Sequence, residues 1–283
     1  MSATTTTRAK LPVFKTVGRA YRAAFGNLGT FIRISWLWLL LIIVVGLVFN
    51  ALTPARLIPS DPAAYARFDA TDWMLVSVIG LVNKLAFLPM LSSIAVNWHR
   101  LLLRGEQPGP TAFMRLDAPV WAYVALAAMI AVAQVLFSLP HSFATINILG
   151  TRTPTAAASL LLIATNLVFL AALMFMARYS VALPAKALEV PGIGFSEAFA
   201  ATRRNTWRLS LGFTLCFLPL IVFGVLAVTV WPGQAAVLGT GQIAIAFRVV
   251  GGVLGVLMGI IGVGFLSYAF EHFFLAPAHG TGV

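Results

Sequence analysis

The stretch from Arg178 to Arg208, RYSVALPAKALEVPGIGFSEAFAATRRNTWR, closes one long apolar run and opens the next. It carries five basic residues, Arg178, Lys186, Arg203, Arg204 and Arg208. A segment so placed belongs at a membrane surface. Pro184 and Pro191 stop helix propagation, because proline lacks an amide hydrogen and its ring collides with the preceding turn. Gly192 and Gly194 permit a turn, and Ser196 is placed to cap a new helix by accepting from its first free amides. The spacing predicts that helix over 196–208. Ala198, Phe199, Thr202 and Leu209 recur at steps of three, four and seven, while Glu197, Arg203, Arg204 and Arg208 point elsewhere, as in a helix lying on a surface. Arg203, Arg204 and Arg208 are expected to meet anionic headgroups, with a phosphate docking on the amides after Gly192 and Gly194. The alternative is that these arginines only set topology.

Working outward, the composition fixes the class. Of 283 residues 60% are apolar and 10% charged, which no ordinary soluble domain matches. The net charge of +11 does not point to nucleic acid, since the basic residues sit beside apolar runs and form no solvated, aromatic-interleaved patch. Membrane lipids with anionic headgroups are the expected partners. The single cysteine, Cys216, lies inside an apolar run, so neither an intramolecular disulfide nor a zinc cluster is expected.

Six apolar runs are long enough to cross the hydrocarbon core, which takes about 20 residues: 34–52, 73–98, 119–139, 157–177, 209–231 and 249–270. An arm and interfacial helix (1–33) precede this membrane domain (34–277), and a short tail (278–283) follows it. In the interfacial helix Val17, Ala20, Tyr21, Ala24, Phe25 and Leu28 form one face. Basic residues divide unequally between the two sides. Arg8, Lys10, Lys15, Arg19, Arg22, Arg33, Arg100, Arg104, Arg115 and the five of the opening stretch lie on one, and only Arg56, Arg67 and Arg152 on the other. Fourteen against three predicts that both termini are cytoplasmic. The expectation is a multi-pass, all-α integral membrane protein of the bacterial inner membrane with cytoplasmic interfacial amphipathic helices.

A pseudo-threefold hairpin repeat is also suggested. Ala20–Tyr21, Ala112–Phe113 and Ala198–Phe199 each lead into a span, at separations of 92 and 86 residues, and Asn27 and Asn205 follow the first and third at one offset. Coincidence is the alternative, since alanine and aromatics are common in such chains.

Several of these residues carry a resemblance. An arginine ending a span at Arg178, the step from Ala182 to Pro184, Glu189, Ala198, and Trp207 with Arg208 resemble the bacterial family named for the membrane domain of glycerophosphodiester phosphodiesterases. WHRLLLRGE from Trp98 to Glu106 and the helix near Tyr21 are similar to it as well. The resemblance implies a six-helix membrane domain and little about activity. Where the family is fused to a soluble phosphodiesterase, that domain carries the chemistry, and the expectation here is a chain without it.

The residues themselves suggest no catalysis and no cofactor. His99 and His272 stand at span ends and read as interfacial anchors. The eight acidic residues lie in connections or at ends, where a proton-coupled carrier would place a carboxylate at mid-membrane. No HExxH, CxxC, Walker loop or GxSxG elbow is present. Lys84 lies eleven residues after Trp73, roughly 16 Å along a helix. With Asn83, Gln134 and Asn166 it would line a polar cavity for an anionic group, or else it snorkels to the outer surface. Arg248 reads as an outer anchor. In the last span Gly251, Gly255 and Gly259 repeat every four residues, a bare stripe suited to close helix packing. The expected function is that of a structural or accessory subunit or lipid-binding scaffold, in association with other subunits. The alternative is a carrier or channel for an anionic or amphiphilic solute with Lys84 in its path.

Overall fold

The computed structural model describes residues 10–57, 68–109, 114–149, 155–230 and 242–275. Nine α-helices follow one another among the described residues: α1 Val13–Gly26, α2 Leu28–Leu52, α3 Ala70–Arg104, α4 Ala118–Leu149, α5 Ala156–Ser180, α6 Leu183–Ala187, α7 Phe195–Ala201, α8 Thr206–Val230 and α9 Gln242–Phe270. A 3₁₀ turn (Ala55–Leu57) follows α2, and a π turn (Glu271–Leu275) follows α9. α2, α3, α4, α5, α8 and α9 supply six segments long and apolar enough to cross a membrane. Helical hydrogen bonding pairs most of their backbone groups within each helix, as a bilayer requires, with Pro89, Pro140 and Pro219 as the interruptions. Expectations placed on Arg8, Arg67, Ala112, Phe113 and Arg152 lie outside the described residues, as does the side chain of Arg248.

The six helices are not packed evenly along their length. The most apolar stretch of α3 contains no buried residue, and that of the last span is 39% buried. These faces are left for lipid. The densest core lies instead at the end of the bundle where the basic residues gather. There α3 is buried without interruption over 92–100, and Trp98, Val181, Ala185, Leu209, Ile261, Phe265 and Phe270 are wholly inaccessible. With 35 residues α3 is about 52 Å long, well beyond the ~30 Å of a hydrocarbon core. Its last turns therefore belong to this basic-end layer.

The N-terminal helix serves the layer differently from the expectation. α1 packs against α8 and α9 and buries Val13, Thr16, Val17, Ala20 and Ala24. Phe25 is 58% exposed and Leu28 39%, so the inward face is turned toward Val13 and Thr16. Tyr21 explains the docking. In an α-helix each amide bonds the carbonyl four residues back, so Pro219, which has no amide hydrogen, leaves the carbonyl of Leu215 without its usual donor. The Tyr21 hydroxyl donates to that oxygen at 3.1 Å and stands equally close to the carbonyl of Cys216.

The opening stretch also folds in shorter pieces than expected. Pro184 sits in the first turn of α6, where a missing amide costs nothing. Gly192 (φ 73°) makes the turn. The next helix begins at Phe195, and it is Glu197, not Ser196, that tends its start by accepting from the Gly194 amide at 2.9 Å. The continuous helix expected over 196–208 is broken after Ala201, and Arg204 takes a left-handed φ of 66°. Asn205 accounts for the break. It is 1% exposed, its Oδ1 accepts from the Leu11 amide at 2.9 Å, and its carbonyl receives the Leu209 amide that opens α8. Asn27 holds the same place between α1 and α2, its carbonyl receiving the Phe31 amide. The first and third units of the suggested repeat thus share this junction.

Candidate functional site

At the basic end, most of the arginines that sequence assigns to a membrane surface are structural ties. Arg178, 6% exposed, donates to Thr202 Oγ1 at 3.0 Å and to the Phe199 carbonyl, and its guanidinium lies 3.4 Å over the Phe199 ring. Arg100 reaches the Ala187 carbonyl at 2.8 Å, Glu106 at 3.2 Å and Glu189. Arg104 bonds the Leu188 carbonyl. Arg208 lies in the first turn of α8, where it donates to the Leu11 carbonyl at 2.9 Å. It is a clamp on the N-terminal segment rather than part of a lipid-facing row. Arg203 and Arg204 are exposed, as expected. The phosphate dock is not formed as expected: α7 has only seven residues, and the Gly194 amide is taken by Glu197. Backbone amides, its own and that of Gly194, hold the Glu197 carboxyl below its ordinary pKa.

A polar cavity of about 390 Å³ opens in this layer beside Asn97, Arg100, Glu106, Arg115 and Asp117. Arg115 donates to both Asp117 oxygens, at 2.8 and 2.7 Å, and chiefly that bond holds the carboxyl below the usual range. With Arg100 on its two glutamates and Arg115 on Asp117, the arginine charges in this wall are compensated.

The polar side chains of the spans do not converge. Lys84 is exposed on α3, and Asn166 is exposed on α5 with its Nδ2 donating to the Leu162 carbonyl of its own helix at 2.8 Å. Asn83 and Gln134 are half-buried on α3 and α4. None of the four lines the cavities described here.

The glycine stripe behaves differently from the expected helix seam. A side chain added at Gly251 would meet Phe223 at 3.3 Å, but at Gly255 and Gly259 it would meet nothing within 4 Å. The close approaches fall elsewhere: Gly212 lies against the Phe265 ring, and Gly262 faces Phe217 at 3.1 Å. Gly255 and Gly259 instead form part of the wall of an apolar cavity of about 480 Å³ among α2, α3, α4 and α9, with Leu183 of α6 also in its lining. Phe31 and Leu39, Leu88 to Ala95, Tyr123 and Ala127, and Gly252 to Val263 contribute to its wall. Along α9 the lining extends from Gly252 to Val263, about 16 Å. That is roughly half the ~30 Å hydrocarbon thickness. The volume falls within the range of about 300–1,000 Å³ typical of ligand pockets.

Two features of this region take a form that the sequence did not announce. His99, read as an interfacial anchor, is wholly buried. Its Nδ1 is 2.7 Å from Ser267 Oγ and its Nε2 3.3 Å from the Tyr123 hydroxyl. Ser267 also donates to the Val263 carbonyl at 3.1 Å. With that hydrogen so used, the chain is consistent when Nδ1–H donates to Ser267 and Nε2 accepts from Tyr123. Ser92 is the second feature. It is 2% exposed, stands in the cavity wall, and its Oγ has no hydrogen-bond partner among the described residues. The serine pair Ser92–Ser93 inside an apolar run was the available sequence signal.

Fold and spans define an all-α, multi-pass integral membrane protein. Comparison with models of protein families, with curated proteins and with solved structures finds no match in any of the three.

Proposed function

We propose that this protein is a non-catalytic, lipid-binding scaffold of the membrane, holding an apolar lipid chain in the cavity walled by Gly255 and Gly259. One observation carries the reading. A four-residue glycine repeat, the usual means of bringing helices together, here borders open space of chain-like length. Lipid is the apolar matter available to fill it. Arg203 and Arg204, exposed at the basic end, would meet anionic headgroups, each contributing about 1 kcal/mol near such a surface. The basic-end layer would face the cytoplasm of a bacterial cell, with both termini on that side, in keeping with the resemblance to the phosphodiesterase-associated membrane domains.

Gentle extraction followed by native mass spectrometry tests the reading and also reveals any companion subunit. The wild-type chain is expected to carry lipid, and Gly255→Leu, which puts a bulky side chain into the cavity from a position where an added Cβ meets nothing within 4 Å, is expected to carry much less. Equal lipid on both proteins would overturn it.

A further inference from the structure

A charged residue stands at the far end of the apolar cavity and, resting on the lipid-binding reading, it narrows the occupant. Leu88, Leu91 and Ala95 line the cavity from α3. Lys84 precedes them on the same face of the helix, since 84, 88, 91 and 95 follow at steps of four, three and four. The contact between His99 and Ser267 sets the register of α3 against α9, and both helices finish at the basic end. Fifteen residues before His99 stands Lys84, and fifteen before Ser267 stands Gly252, the residue of the α9 wall farthest from that end. Lys84 is therefore about one helical turn beyond the apolar lining, level with its far end.

That position leaves its ammonium without a counter-charge. The nearest charged residues along α3 are Asp72, which pairs with Arg56 at 3.5 Å, and Arg100. They lie about 18 and 24 Å away along the helix, and a four-carbon stem covers roughly a third of the shorter distance. Lys84 thus lies within the ~30 Å of hydrocarbon. It is exposed, and among the described residues no ion pair involves it. A lysine at such depth is costly unless it is paired, yet the acidic residues of this chain all lie in connections or at span ends. The anion must come from another molecule. We infer that Lys84 makes the site selective for an ionised long-chain fatty acid, with the carboxylate on the Lys84 ammonium and the chain running past Leu88 and Gly255 toward the basic end. The head that reaches Lys84 sits inside the hydrocarbon layer, so it must be small and joined directly to its chain, as a carboxylate is and a glycerophosphate headgroup is not. One ammonium also balances one carboxylate, whereas a phosphate monoester carries nearly two charges.

The test uses the purified full chain in nanodiscs of zwitterionic phosphatidylcholine. Retention of added palmitate and of hexadecanol, equal in chain length, is compared by native mass spectrometry at about pH 9, where the carboxylate is ionised and lysine is protonated. Wild type is expected to retain palmitate about tenfold better than hexadecanol, the worth of one hydrogen bond between charged groups. Lys84→Met should bring palmitate down to the level of hexadecanol and leave hexadecanol unchanged, which also shows that the variant is folded. Lys84→Arg, which keeps the charge, should keep the preference, and Gly255→Leu should lose both probes. Equal retention of the two probes by wild type, or a preference that survives Lys84→Met, would overturn the selectivity while leaving chain binding intact. Palmitate held by Gly255→Leu as well as by wild type would also overturn it, since the acid would then pair with Lys84 outside the cavity. If wild type retained neither probe, the lipid-binding reading itself would fail, and this inference with it.

Discussion

Arg178 shows how a residue legible as charge becomes something else in the fold. Position alone marked it as a span-ending cation, but burial, two hydrogen bonds and the Phe199 ring make it the joint between α5 and α7. A guanidinium can fork between two acceptors and lie flat on an aromatic face; an ammonium cannot do both. Arg178→Lys, which preserves charge, should therefore lower stability by about 1–3 kcal/mol. Arg203→Lys, on an exposed side chain, should change it by less than about 0.5 kcal/mol. Thermal unfolding in detergent reads both, and equal melting temperatures would return Arg178 to a purely topological role. Sequence could separate neither pair of roles, because Thr202 and Phe199 identify themselves as partners only once the chain has turned. His99 is a similar case: its partners lie 168 and 24 residues away.

At the scale of the helix, the runs that span were legible and their joints were not. A bilayer demands about 20 apolar residues per crossing, a constraint strong enough to override the prolines: α3, α4 and α8 continue through Pro89, Pro140 and Pro219. The break in 196–208 depends on Asn205 reaching Leu11, 194 residues away, and no local pattern encodes that. The glycine stripe likewise announced a bare helix face but not what would cover it. That depended on which glycines meet Phe265 and Phe217 and which meet space. The Tyr21 bond to the carbonyl freed by Pro219 offers a test of helix docking. Tyr21→Phe should cost about 1 kcal/mol in the wild-type background. In Pro219→Ala the restored amide can occupy Leu215, and the same substitution should cost much less. A double-mutant cycle measures the difference, and additive losses would show that Tyr21 holds α1 by packing alone.

Taken whole, the molecule is a bundle whose tightest core is at one end. The basic-end layer joins α1, α6 and α7 to the ends of the spans through buried arginines and asparagine. Farther along, the spans present exposed leucines, valines and phenylalanines to lipid. Class, number of spans and the exposed Arg203 and Arg204 could all be read from composition and periodicity. The cavity could not, because empty space between helices is a property of their arrangement and not of any one segment. An experimental density map of the protein in native-lipid nanodiscs tests the central claim most directly. The account predicts continuous, chain-shaped density between Leu88 and Gly255. A cavity closed by inward movement of Phe31 or Leu39, with α2 packed directly on Gly255 and Gly259, would contradict it.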